Sequence, residues 1–112
     1  MADFLGTFEQ AVLVAVLRLE AGAYGRAILK EVQARLDRSV APGAVHATLD
    51  RLEQKKLLSS KLGSGTPVRA GRPRRYYRVL PAGVRALNNA RATVDHIWNG
   101  LDWPLLEARR IA

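Results

Sequence analysis

The 112-residue chain has no cysteine, so neither a disulfide framework nor a thiolate metal site holds it together, and a reducing, intracellular setting is expected. Long apolar runs are missing too. The longest, "AVLVAVL" from Ala11 to Leu17, is seven residues closed by Arg18, far short of the roughly 20 that span a bilayer; no membrane partner is expected. Asp3 and Glu9 stand where a secretory leader carries basic residues, which adds to the expectation of a cytoplasmic, nucleoid-associated chain. The third absence is of acid. Between Glu53 and Asp95 there is no acidic residue, and the window Gln54 to Val94 holds ten Lys or Arg, while the other 71 residues carry eight basic and ten acidic side chains. The whole net charge of +8 is therefore local. A solvated face normally mixes signs, so 41 residues of one sign point to a surface for an anionic polymer.

At this length a single domain with a modest core is expected, and a partner subunit with it. "TFEQAVLVAVLRLEAG" opens with Thr7 and Gln10 at capping-box spacing and stops near Gly22, predicting a helix of about four turns. Its apolar residues run almost all the way round, the mark of a central helix packed on several sides. "AYGRAILKEVQARLDR" places Ile28, Val32 and Leu36 on one face, a second, surface helix. A polar break from Arg38 to Ala41 leads to Pro42, which suits the first position of a third helix.

In that third helix Val45, Leu49 and Leu52 share one face and are expected in the core. Gly43, Ala47, Asp50 and Gln54 lie opposite, with His46 and Arg51 on the flanks. So bare an outer face, concentrated in the first turn and a half, allows close approach to a major groove about 12 Å wide. Taken alone, the same small residues also read as helix filler. "LLSSKLGSGTPVRAGRPRRYYRVL" then shows two alternating stretches around a Gly/Pro-rich centre, a hairpin. The alternation predicts Leu58, Leu62, Tyr77 and Val79 inward, with Ser59, Lys61, Arg74, Tyr76 and Arg78 on the other face. Arg69 and Arg72 sit at the tip. Arginine suits phosphate because its planar fork meets oxygens in pairs. A helix followed by a basic hairpin is the layout of a winged helix-turn-helix, so the expected fold is mainly α with a two-stranded β wing.

The last helix begins after Pro81, and Val84, Leu87, Val94, Trp98 and Leu101 follow a three-four spacing interrupted by Arg91. A domain this small has little left to cover that stripe. A second copy of the chain is the expected partner, giving two recognition helices roughly 34 Å apart. The chain thus divides into a DNA-binding part, 1–80, and a C-terminal dimerisation helix and tail, 81–112.

"YGRAILKEV", "PGAVHATLDRLEQKKLL" and "GRPRRYYRVLPAG" resemble, in order and spacing, the second helix, recognition helix and wing of PadR-type transcriptional regulators. The resemblance covers roughly Thr7 to Leu87 and implies a homodimeric winged-helix repressor with the short C-terminal region of the smaller subfamily. Three positions depart from the family pattern. His46 stands at a usual tyrosine, Lys56 at a usual glycine that ends the recognition helix with positive φ, and Leu80 at a usual capping threonine. Some short PadR-like proteins hold flat aromatic compounds between the tryptophans of two subunits. That implies a small aromatic effector at Trp98 and Arg91, in competition with plain apolar packing of Trp98 and Trp103.

The resulting expectation is double-stranded DNA as partner. Pro42, Gly43, His46, Ala47 and Asp50 enter the major groove, Asp50 being best matched to cytosine N4, while Arg51 contacts the backbone. Lys61, Arg72, Arg74, Arg75 and Tyr76 follow the flanking strand. No cofactor, metal or enzymatic activity is expected. His46 and His96 are fifty residues apart without a carboxylate cluster, Ser59 and Ser60 have no neighbouring base, and the wing glycines do not open a helix as a nucleotide loop would. Two rival readings stay open: a basic RNA-binding module, for which Tyr76 alone offers an exposed stacking platform, and a winged-helix adaptor that binds protein.

Overall fold

A computed structural model of the chain describes residues 4–63 and 73–106. Its elements are α1 (Thr7–Leu19), a 3-10 turn (Glu20–Gly22), α2 (Gly25–Leu36), α3 (Pro42–Gln54), β1 (Leu58–Leu62), β2 (Arg75–Val79) and α4 (Pro81–Trp98). No described helix is long and apolar enough to cross a membrane.

Helix α1 is the hub, burying Ala11, Val12, Leu13, Ala15 and Val16. Ile28 and Val32 of α2, Val45, Leu49 and Leu52 of α3, and Leu58 and Tyr77 of the hairpin close the core around it. The start of α1 corrects the expected capping box at Thr7 and Gln10. Gly6 is the N-cap, so Glu9 rather than Gln10 occupies the third helical position, and its carboxylate accepts the Gly6 N–H at 3.0 Å. Gly6 has no side chain to return that bond, and the Gln10 amide donates instead to the Leu5 carbonyl at 3.0 Å. At the far end of α2, Asp37 turns left-handed (φ 54°). The Gln33 side-chain oxygen then accepts the Val40 N–H at 3.0 Å and spans the break before α3.

Pro42 opens α3, and Val45, Thr48, Leu49 and Leu52 form its buried face. Its C-terminus closes with two reverse bonds, Leu57 N–H to Leu52 O and Lys56 N–H to Glu53 O, each 3.0 Å, with Lys56 left-handed at φ 66°. That is the Schellman arrangement, in which the left-handed residue is usually glycine.

Strands β1 and β2 are antiparallel, pairing Leu58 with Val79, Ser60 with Tyr77 and Leu62 with Arg75. Leu58 and Tyr77 are buried, whereas Leu62, expected inward, is 54% exposed. The face assignment holds but the core does not reach that far: at Leu62, four residues beyond Leu58, the hairpin has passed the last core side chain. The outer edge of β2 is also occupied. Tyr77 N–H donates to Ala23 O at 2.8 Å, and Tyr24 forms a single antiparallel bridge with Tyr76.

Helix α4 starts on Pro81 after Leu80, an N-cap without a side-chain hydrogen bond. Gly83 fixes its docking, since a Cβ there would collide with the Leu57 carbonyl oxygen and lie 2.7 Å from Val79 Cγ1. Leu80 N–H donates to that same Leu57 carbonyl at 2.9 Å. Ala86, Leu87 and Ala90 then lie against the core.

Candidate nucleic-acid interface

With Val45, Leu49 and Leu52 turned inward, α3 presents Pro42, Gly43, His46, Ala47 and Asp50 outward, all exposed. A Cβ on Gly43 would meet nothing within 4 Å, so nothing on the protein side demands glycine there. An open cleft of about 550 Å³ runs between the starts of α2 and α3, with Arg26, Leu29, Gly43 and His46 on its walls. Arg26 stands beside these α3 residues on a helix to which sequence reasoning assigned no contact; one basic residue inside an amphipathic pattern gives little signal.

Arg51, expected at the DNA backbone, is held from behind. Its Nε donates to Glu9 Oε2 at 3.4 Å and its Nη2 to Thr48 Oγ1 at 3.2 Å, while Lys55 Nζ reaches the same Glu9 oxygen at 3.3 Å. Burial pushes the Glu9 carboxyl pKa up, but the Gly6 N–H, Lys55 and Arg51 more than offset it, and the net shift is below the ordinary value. Glu9 therefore clamps the start of α1 onto α3 and takes up part of the positive charge there. Sequence reasoning missed it because the pair is 42 residues apart, and no local pattern marks it.

The hairpin splits its basic residues between two faces. Lys61, Tyr76 and Arg78 lie on one, where Arg78 Nε donates to Ser59 Oγ at 3.2 Å. Arg75 lies on the other, donating to Ser60 Oγ at 3.1 Å, and Ser60 in turn donates to Glu53 at 2.7 Å. Arg75 thus faces the end of α3 rather than Lys61 and Arg78. Nearby, burial raises the Tyr77 phenol pKa, with Asp50 and Glu53 adding to the shift and Arg75 opposing it. Tyr76 is half-buried, its ring edge-to-face with Tyr24 at 5.8 Å. Arg69 and Arg72 lie outside the described residues.

The two residues nominated for an effector stand on the far part of α4. Trp98 is half-buried at its end, and Arg91 is exposed, 3.8 Å from Asp95 one turn on. Among the described residues no three metal-ligating side chains gather.

The sequence matches the family model described as "Transcriptional regulator PadR-like family" over residues 13–89. The chain belongs to that family. Two solved PadR-family regulators show the same fold. One, from Eggerthella lenta, is 29% identical, with a TM-score of 0.62 over 80% of this chain and 75% of that one. The other, from Clostridium difficile, is 25% identical, with a TM-score of 0.61 over 84% of this chain and 96% of that one. A third likeness, to a Bordetella bronchiseptica regulator whose DNA binding is regulated by 6-hydroxynicotinic acid, is at 18% identity with a TM-score of 0.61 over 92% of this chain and 73% of that one, and speaks to fold alone. No curated protein matches the chain. As a PadR-like regulator it is a DNA-binding transcription factor of winged-helix architecture. The family match spans from within α1 to within α4, taking in α2, α3 and the hairpin whole.

Proposed function

We propose that this PadR-like regulator binds a specific operator as a homodimer and represses by blocking polymerase. The observation that carries the reading is that the bare, exposed face of α3 leads directly along the chain into the acid-free basic hairpin. Gly43 and Ala47 leave room for the groove walls, His46 and Asp50 face base edges, and Lys61 and Arg74 on the hairpin follow the flanking strand. Arg51 reaches phosphate with the donors that Glu9 and Thr48 leave open, and Arg75 with those not given to Ser60. Tyr76 is a packed ring rather than an open platform, which favours duplex DNA over single-stranded RNA.

The homodimer rests on α4. Val94 and Ile97, 46% and 69% exposed, lie beyond the reach of the core, and the second copy of α4 covers them. A flat aromatic effector at that contact, against Trp98 and Arg91, changes the distance between the two recognition helices and relieves repression. If each subunit neutralises about three or four phosphates, log K for the dimer falls with log salt at a slope of roughly −5 to −7. Titrating the chain into labelled duplex at several salt concentrations measures the slope; a value near zero overturns the reading.

A further inference from the structure

Tyr24, Tyr76, Gly63 and Arg74 form one stack at the loop end of the paired strands. Tyr24 is the last residue before α2, extended at φ −118° and ψ 166° and bridged to Tyr76 across the edge of β2. The two rings meet edge-to-face at 61°. Behind Tyr76, a Cβ on Gly63 would come within 2.8 Å of ring carbon Cε1, so the missing side chain is what lets the Tyr76 ring lie where it does. Gly63 N–H donates to Arg74 O at 2.7 Å and ties the backbone of Arg74 to the same place. The guanidinium carbon of Arg74 then sits 4.0 Å from the centre of the Tyr24 ring.

Of the arginines expected at the DNA, two others lie among the described residues, and both are spoken for: Arg51 by Glu9 and Thr48, Arg75 by Ser60. The only described partner of the Arg74 guanidinium is the aromatic ring beneath it. A ring covers one flat face of the group and leaves the in-plane N–H donors open, and those donors are what meet the paired oxygens of a phosphate. A long side chain stacked in this way has already lost much of the freedom it would otherwise lose on binding.

We propose that Tyr24 is a positioning residue for DNA binding, holding the Arg74 guanidinium flat so that its fork faces a backbone phosphate. This rests on the DNA-binding reading above. Tyr24 itself touches no nucleic acid. Its contribution is geometric, and it requires both the ring beneath and a planar cation above.

The test uses the full chain and a duplex that the chain itself enriches from a random pool, with affinity followed by fluorescence anisotropy. Tyr24→Leu and Arg74→Lys are each expected to weaken binding about three- to fivefold, the span of an exposed cation–π contact. Tyr24→Phe keeps the ring and keeps the affinity. In an Arg74→Ala background, Tyr24→Leu adds no further loss. Wild-type affinity in Tyr24→Leu, or its full loss persisting without Arg74, overturns the proposal while leaving DNA binding intact. Should Tyr24→Leu fail to fold, Arg74→Lys decides alone, because it touches nothing in the core: affinity equal to wild type means that charge is enough and that the stack has no role. A full chain that enriches no duplex at all removes the functional reading itself, and the positioning role with it.

Discussion

From Pro81 to Ala90, α4 lies on α1, β2 and the turn that follows α3, with Gly83 buried and Ala86, Leu87 and Ala90 against the core; from Arg91 to Ile97 every residue is exposed. Apart from the interruption at Arg91, the two halves carry the same three-four spacing of apolar residues, and that spacing does not say which half is covered. What separates them is reach. An 18-residue helix is about 27 Å long, and the core supplied by three other helices and a hairpin ends under its third turn. An amphipathic stripe tells which side of a helix avoids water, but not whether the cover comes from the same chain.

The largest contrast is expected from changing one methyl group in each half. In the docked half, Gly83→Ala drives a Cβ into the Leu57 carbonyl and Val79. Backbone on one side and a buried strand on the other have little room to yield, so a loss of about 2–3 kcal/mol is expected, lowering the melting temperature by on the order of 10 °C. In the free half, Ala92→Gly removes a methyl that touches little and is expected to cost within about 1 kcal/mol. Thermal unfolding of the two variants reads the contrast. Equal shifts mean that the first turn of α4 is not seated where Gly83 places it.

A smaller effect is expected from charging the free half. Ile97→Asp leaves the fold of the single chain nearly unchanged, within about 0.5 kcal/mol, because the side chain is exposed there. In the proposed dimer it puts an unpaired carboxylate under cover in each subunit and raises the dissociation constant by at least about tenfold. Sedimentation velocity across micromolar concentrations checks this. An unchanged constant assigns the free half to some occupant other than a second α4.

Much of this architecture was legible because periodicity is local. Val45, Leu49 and Leu52 name the buried face of α3 without any knowledge of the rest, and Pro42 marks its start. The same local rule fails at Leu62, where alternation gives the correct face of β1 but not the point at which the core ends. It fails again at Glu9, which caps α1 and binds Arg51 and Lys55 across more than forty residues. The candidate interface shows the same division. The bare face of α3 was readable from small residues at helical spacing. Alternation likewise separates Arg74 from Arg75, but the Tyr24 ring under Arg74 depends on which strand edges meet, and that is settled by the third segment at Ala23 and Tyr24 pairing with β2.

The smallest expected effect lies at the joint that receives the docked half. Lys56 holds φ 66°, and its turn aims the Leu57 carbonyl at Leu80 and Gly83, so the seat of α4 depends on a left-handed residue that carries a side chain. Holding a non-glycine residue there costs about 1–2 kcal/mol. Glycine removes that cost but also loses more chain entropy on folding, by about 0.4–1 kcal/mol. The balance for Lys56→Gly is a gain of about 0.5 kcal/mol, or a melting temperature higher by roughly 2–4 °C. Lys56→Ala keeps the strained backbone and is expected to show no gain, which separates relief of φ from loss of the lysine's charge. If Lys56→Gly instead lowers stability while Lys56→Ala does not, the extra freedom of the glycine outweighs the relief. The seat of α4 then depends on a stiff turn as much as on the absence of a side chain at Gly83.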